Sequence, residues 1–397
     1  MTTIGECLDS SAVRGARAQV SRAIERIPHE LRAVLGLFIC TRVALAAIGV
    51  LSYALLEPSI GKQHAWHYSQ YPWLSIWGIW DTGWYMDIAT NGYAAHVSTR
   101  PETLHQANYG FFPLYPMLVH LLGLVVRDNF IAGVLLSSLC LINTGVFLHR
   151  MVAEEAGERT ARRAVQFLFL LPTAYILSAA LTESLFLTLC VMCIYYARRG
   201  RWSAAGPLGF LAALTRSPGF LLIVPLLWIY MAARGFRTKQ VRADVLWLLL
   251  IPLGTLTFAV YCWSLTGDIL AYAHIQETGW HHSFANPLAV LVEALRGPDI
   301  DTLLAALFPA AALLILIAWR AQISPEEFLF AVVFILAPLA AGAVDGSPRY
   351  LAAIFPLAVV FARLTESPEI EQALVTGLAL LQGVLMVFWC NGFYFLS

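Results

Sequence analysis

From residue 33 to its end the chain alternates long apolar runs with short polar breaks. Runs long enough to cross a bilayer, or nearly so, occur at about 33–56, 130–149, 164–181, 184–197, 202–215, 217–233, 244–265, 302–319, 328–344, 348–362 and 373–393. A further run, 111–126, is short for a crossing and carries Pro113 and Pro116 near its start. The pattern predicts an all-α integral membrane protein of about eleven transmembrane helices. One membrane domain, 33–397, follows a basic arm at 1–32, with no internal repeat or low-complexity linker between them. Two polar stretches are too long to be mere connections: a first loop region at 57–129 and a second at 266–300. In the first, WDTGWYMDIATNGY at 80–93 places Trp84 and Ile88 on one side of a helical turn and Asp87 and Asn91 on another. That spacing predicts a short helix at the membrane surface, with its aromatic rings at headgroup level and Asp81 at its N-terminus.

Charge position decides the topology, because one extra crossing inverts every later loop. If 111–126 dips into the membrane or lies on it, the arm arginines (Arg14, Arg17, Arg22, Arg26, Arg32) share a side with Arg150, Arg159, Arg162, Arg163, Arg198, Arg199, Arg201, Arg234, Arg237, Lys239, Arg242, Arg320 and Arg363. The positive-inside rule makes that side cytoplasmic. The N-terminus is then inside and the C-terminus outside. The non-cytoplasmic face collects the 57–110 segment, the Thr182-Glu183-Ser184 turn, Thr215 to Pro218, the 266–300 loop and Asp345 to Tyr350. The arm itself reads either as an amphipathic helix on the cytoplasmic face or as a solvated, frayed segment.

Composition narrows the class. Of 397 residues, 59% are hydrophobic and 13% charged, and the mean hydropathy is +0.69, which excludes an ordinary soluble domain. Basic and acidic residues balance at 25 each, so nothing points to nucleic acid. The seven cysteines fall mostly inside apolar runs, where a thiol acts as a small hydrophobe, and no disulfide framework is expected. Cys190 and Cys193 form a C-x-x-C in mid-run, without the strand and helix context of a redox motif. The first 30 residues lack the apolar core of a cleavable signal, so the first span is expected to direct insertion. No dinucleotide, Walker, zincin or serine-hydrolase motif occurs. An enzyme of this composition would take a lipid-carried donor from the bilayer.

The candidate chemistry sits in the polar breaks. Asp81 is either an N-cap or a functional acid. Arg216 and Arg349 lie at run ends beside prolines, where a guanidinium fork suits a lipid phosphate. The alternative is internal pairing, Arg349 with Asp345 and Arg216 with Glu183. Glu183 could accept from a substrate hydroxyl or fix an arginine. His274, Glu277, His281 and His282 beside Trp280 fit no compact zinc spacing and read as substrate contacts or loop polarity, as do His64, His67, His96 and His105. Arg42, inside the first run, either snorkels or pairs with a first-loop carboxylate.

Trp80-Asp81 followed by Trp84-Tyr85, Ile88-Ala89 and Gly92-Tyr93, then Phe111-Phe112-Pro113-Leu114-Tyr115-Pro116, resembles the first lumenal loop of the PIG-V mannosyltransferases. The resemblance continues through Leu181 to Leu187, Ala213 to Gly219, Arg349-Tyr350-Leu351 with Phe355-Pro356-Leu357, and Asn391-Gly392-Phe393, and so covers about 33–397. It implies a GT-C glycosyltransferase fold, with surface or juxtamembrane helices in the first outer loop. It implies an inverting enzyme that moves a sugar, most simply mannose, from a polyprenyl-phosphate donor to a hydroxyl of a lipid or glycan acceptor.

In such enzymes a first-loop aspartate is the general base, a role the resemblance carries to Asp81. The expected substrate and phosphate contacts are Arg216, Arg349, Glu183, Trp80, Trp84, Tyr85, Asp87, Tyr115, Tyr350 and His281. The scheme calls for no cofactor and no metal, since arginines can neutralise a phosphate. Compact loops favour a bacterial member in the cell membrane over one in the endoplasmic reticulum. Two competing readings are a transporter or flippase of lipid-linked sugars and a non-catalytic subunit that keeps the transferase fold. A surface acid and the lack of repeats favour the enzyme.

Overall fold

Most of the apolar stretches become helix, and no strand forms among the described residues. The computed structural model describes residues 28–56, 67–99, 103–342, 344, 346–365 and 367–393. The arm at 1–27, His64 and Asp345 lie outside them, so neither the arm's conformation nor a pairing of Arg349 with Asp345 is addressed. The helices are α1 (His29–Leu56), α2 (Pro72–Ser75), α3 (Thr82–Asn91), α4 (Leu114–Val126), α5 (Asn129–Leu170), α6 (Glu183–Arg198), α7 (Trp202–Ala213), α8 (Ile223–Ala232) and α9 (Leu250–Thr266). They continue with α10 (Ala271–Trp280), α11 (Pro287–Arg296), α12 (Ile300–Ala318), α13 (Pro325–Ala340), α14 (Ser347–Leu351), α15 (Phe355–Leu364) and α16 (Pro368–Cys390). The long α5 is the hub, packing against α1, α4, α6 and α15.

Among the described residues, five helices are long and apolar enough to cross a membrane: α1, α5, the stretch Ala243–Thr266 that ends in α9, α12 and α16. Their outward faces are apolar, with Leu55, Leu314 and Leu380 each about two-thirds exposed or more, as suits contact with lipid. The other runs form shorter helices interrupted by 3₁₀ turns at Ala174–Ser178 and Ser217–Leu222 or by the break between α13 and α15. The 13 residues of α4 reach about 20 Å, short of a ~30 Å hydrocarbon core.

Within α5, Gly157 leaves the helical region with φ 81 and ψ 169. His149 and Glu158 nevertheless lie 3.1 Å apart, where unbroken helix would separate them by about 13 Å, so the chain turns back at Gly157.

Broken helices leave carbonyls without partners, and polar side chains from other helices supply them. The return limb of α5 ends at Leu170 and passes into the buried 174–178 turn. Arg42 donates through Nη1 to Ala174 C=O (2.8 Å) and through Nη2 to Phe169 C=O (3.4 Å). Gln382 donates to Phe169 C=O and Leu171 C=O, both at 2.9 Å. Arg42 is buried, so it does not snorkel, and among the described residues it pairs with no acid; it serves the negative end of a helix.

Ion pairs fall into two sets at opposite ends of α6. Around Arg198, at its last turn, gather Glu155, Glu326 and Glu327, with Arg363 on Glu155 and Arg199 on Glu154. Arg150–Glu30 and Arg163–Glu371 belong to the same end. At the first residue of α6, about 24 Å away, Glu183 opens the other set.

Candidate active site

Trp80 occupies the left-handed region at φ 54, an uncommon state for a bulky residue, and the chain then enters α3. Asp81 stands at the N-cap position, but its side chain makes no cap hydrogen bond. Its Oδ2 instead forms an ion pair with Arg349, 2.6 Å from Nη1. Arg349 Nε lies 3.0 Å from Glu183 Oε1, and Arg216 Nη1 lies 2.5 Å from the same oxygen. One carboxylate therefore anchors two guanidinium groups, and the second carboxylate hangs from one of them. Arg216 also donates to Thr182 Oγ1 (2.9 Å), and both arginines face the Tyr350 ring, with centroid distances of 4.6 and 5.7 Å.

Burial separates the roles. Glu183 is 2% exposed, Arg216 and Arg349 9% each, and Asp81 22%. Asp81 is the acid of this cluster that a substrate can reach; Glu183 is its buried anchor.

Local backbone geometry sets each piece. Gly219 lets the 3₁₀ turn after Arg216 close on the end of α7, since a Cβ there would fall 2.4 Å from Ala212 O. Arg216 accepts from Gly219 N–H (2.9 Å), which fixes the bend that aims it. Arg349 rides on α14, a five-residue helix entered through Gly346 at φ 77.

The two long loops close over the cluster from the solvent side. Trp280 packs edge-on against Trp84 (6.0 Å) and Phe111 (5.4 Å), while Trp84 stacks on Phe111 (5.7 Å). Gln276 Nε2 donates to Gly110 C=O (2.9 Å), and Gln106 Nε2 to Gly279 C=O (3.0 Å).

Of the residues expected from sequence, Asp81, Glu183, Arg216, Arg349 and Tyr350 come together. Tyr85 joins them, buried with its hydroxyl 3.5 Å from Thr182 Oγ1. Trp80 is half-buried beside Asp81, and Trp84 lies in the aromatic cover. Asp87 accepts from Asn91 and Asn108, both at 2.9 Å, and so ties α3 to the 108–110 turn. Tyr115 is fully buried behind Tyr85, within 3.1 Å of Gly133 O and Ser137 Oγ. His281 caps α10 in the left-handed region and is exposed.

Its neighbour His282 turns inward and folds back over Gln276, its N–H donating to Gln276 C=O (3.0 Å) and its Nδ1 lying 2.9 Å from Gln276 Oε1. Burial holds the His282 imidazole below its ordinary value, with Asp81 drawing it up and Arg349 and His281 pushing it down. In the sequence His282 carries no signal that separates it from its neighbours, and Gln276 carries none at all. His274, by contrast, pairs with Asp268 at 2.6 Å on the exposed side.

No protein-family model matches the chain, and no curated protein matches it. Among solved structures, the oligosaccharyltransferase of Archaeoglobus fulgidus in its apo form is similar over 89% of this chain and 55% of its own, with a TM-score of 0.46 and 12% identity. The same protein in complex with zinc and sulfate aligns over 88% and 53%, with a TM-score of 0.45 and 14% identity. In complex with an inhibitory peptide and a dolichol-phosphate it aligns over 89% and 55%, with a TM-score of 0.45 and 11% identity. The chain spans about half the length of these proteins.

Proposed function

We propose that this protein is an inverting GT-C glycosyltransferase that moves a sugar, most simply mannose, from a polyprenyl phosphate to a hydroxyl of a lipid or glycan acceptor. The observation that carries this reading is the partly exposed Asp81 carboxylate held by Arg349, which shares the buried anchor Glu183 with Arg216.

The chemistry follows from charge. A polyprenyl phosphosugar carries one negative charge, and the phosphate that leaves carries two, so the reaction needs a proton acceptor on one face and added positive charge on the other. The acceptor oxygen bonds to the anomeric carbon, the bond from that carbon to the phosphate oxygen breaks, its electron pair stays on phosphate, and the hydroxyl proton passes to Asp81. Protonation removes the charge that Arg349 was holding. That guanidinium is then free for the phosphate as the phosphate gains its second charge, and the total charge of the site stays constant. Arg216 remains fixed by Glu183 and Thr182 as a second donor. We read the site on the non-cytoplasmic face, since the opposite end of the bundle carries most of the arginines, and the compact loops favour a bacterial cell membrane.

The test is transfer of labelled mannose from polyprenyl-phosphate mannose to membrane lipids and glycans, comparing wild type with Asp81→Asn. The expected result is a labelled product from wild type and a fall of about 100-fold or more in the variant, which keeps the side-chain shape but cannot take the proton. Equal turnover by both would overturn Asp81 as the base. No product from wild type with any polyprenyl-phosphate sugar would overturn the enzyme reading.

A further inference from the structure

The first long loop carries a cleft apart from the acid and the arginines. Its volume is about 460 Å³, and its lining includes Tyr53 in the last turn of α1, His67, Tyr68 and Gln70 of the loop, and Ser75 at the end of α2. Tyr53 Oη lies 3.1 Å from His67 Nδ1, which ties the helix to the loop. Ser75 is the buried member of this lining, 5% exposed, and its Oγ has no hydrogen-bond partner among the described residues. A buried hydroxyl without a partner is costly, and at a cleft wall a ligand can supply what is missing.

Tyr68 connects the cleft to the acid. Its ring stacks on Phe130 (5.1 Å) and lies along the segment from residue 78 to residue 83. A Cβ on Gly78 would fall 2.7 Å from Tyr68 Cδ2, and one on Gly83 would fall 3.1 Å from the Tyr68 hydroxyl. That hydroxyl therefore meets the first turn of α3 two residues past Asp81. Burial, and after it the Asp81 charge, pushes the phenol above its ordinary value, so it keeps a proton to donate. Arg349 lies on Oδ2 of Asp81, which leaves Oδ1 to take the proton of an acceptor hydroxyl.

Charge separates the cleft from the phosphate-binding end. None of the residues that line it is a lysine, arginine, aspartate or glutamate, so it offers little to a phosphate. Two phenols, an imidazole, a carboxamide and a serine hydroxyl place donors and acceptors beside aromatic rings, a set that suits a neutral polyhydroxyl ring.

We infer that this cleft is the acceptor subsite and holds a sugar ring of the acceptor, with Ser75 and Tyr68 hydrogen-bonding to that ring while another acceptor hydroxyl reaches Asp81. The inference rests on the transferase reading above and deepens it, since it makes the acceptor a molecule that already bears a sugar. That ring can arrive on a membrane lipid or on a free glycan.

The experiment uses the full-length protein with polyprenyl-phosphate mannose as donor, comparing wild type, Ser75→Ala and Tyr68→Phe. The acceptor probes are octyl glycosides (mannoside, glucoside and glucosaminide) and the matching methyl glycosides. Each variant removes one hydroxyl and is expected to raise the KM for an accepted glycoside about three- to tenfold, with the donor KM unchanged. The thermal midpoint of Ser75→Ala is expected to hold or rise, because the hydroxyl it loses has no partner in the protein. A higher KM for octyl and methyl glycosides alike supports recognition of the ring itself, and one seen with octyl glycosides alone supports a lipid-borne sugar. An unchanged acceptor KM in either variant overturns the subsite while the transferase reading stands. An equal rise in donor KM, or a lower midpoint in Ser75→Ala, assigns a structural role and overturns it likewise. Transfer to membrane lipids with no glycoside acting as acceptor or competitor overturns the sugar ring as occupant. Absence of transfer by wild type from any polyprenyl-phosphate sugar overturns the transferase reading and this inference together.

Discussion

Glu183 illustrates how a buried charge is made tolerable. Its Oε1 makes ion pairs with two arginines and neither oxygen has a well-directed hydrogen bond, so the electrostatic attraction of both guanidinium groups has to offset the cost of leaving water. Glu183→Gln leaves Arg216 without an acidic partner and Arg349 with Asp81 alone. It should lower stability by about 3–5 kcal/mol, seen as a fall in the thermal midpoint of the purified protein in detergent. An unchanged midpoint would remove Glu183 from its anchoring role. Arg349 poses a geometric question instead. It meets Asp81 through Nη1 and Glu183 through Nε, which a single ammonium cannot do together. Arg349→Lys should therefore keep the charge yet lose about 100-fold in kcat/KM, measured with the same donor assay.

Elements matter here for where they stop. Residues 217–222 form a 3₁₀ turn against the end of α7 only because position 219 has no side chain. Gly219→Ala would put a Cβ into the backbone of Ala212 and Ala213, at 2.4 to 2.7 Å, and no side chain can yield to relieve it. The expected cost is about 1–3 kcal/mol, together with a raised donor KM as Arg216 shifts. Wild-type kinetics in that variant would show that the bend does not aim the arginine.

The same elements mark what the sequence made legible. Run length places most of the long helices, and the polar breaks contain Asp81, Glu183, Arg216 and Arg349, because charge is conspicuous in an apolar chain. Run length alone says nothing about interruptions. The stretch 164–181 reads as one span, whereas its helix ends at Leu170 and its last third is buried irregular backbone. What permits this is a pair of polar side chains from α1 and α16, Arg42 and Gln382, remote in sequence from the carbonyls they satisfy. Likewise the 266–300 loop holds two helices, α10 and α11, whose packing on the first loop depends on contacts between residues more than a hundred positions apart.

For the whole molecule, the separation of the two sets of ion pairs along α6 yields a topological prediction. Thr238 lies beyond the arginine-rich end of α8, and Ala273 lies on α10 in the loop that covers the acid cluster; both are exposed. With single cysteines at these positions, a membrane-impermeant maleimide should label Ala273→Cys in intact cells and Thr238→Cys only after permeabilisation. The reverse pattern would place the cluster in the cytoplasm and exclude a donor delivered on the outer leaflet.

The distance in sequence between Asp81 and Arg349 also makes the site an event in time. Synthesis adds roughly 5–20 residues each second, so the first loop emerges tens of seconds before the arginine that will hold its carboxylate. During that interval Asp81 has that partner still unmade, and the second loop is also incomplete. A nascent chain halted between Glu183 and α14 would have its acid and its anchor but not the arginine that joins them. On the transferase reading proposed above, activity waits until α14 has been made.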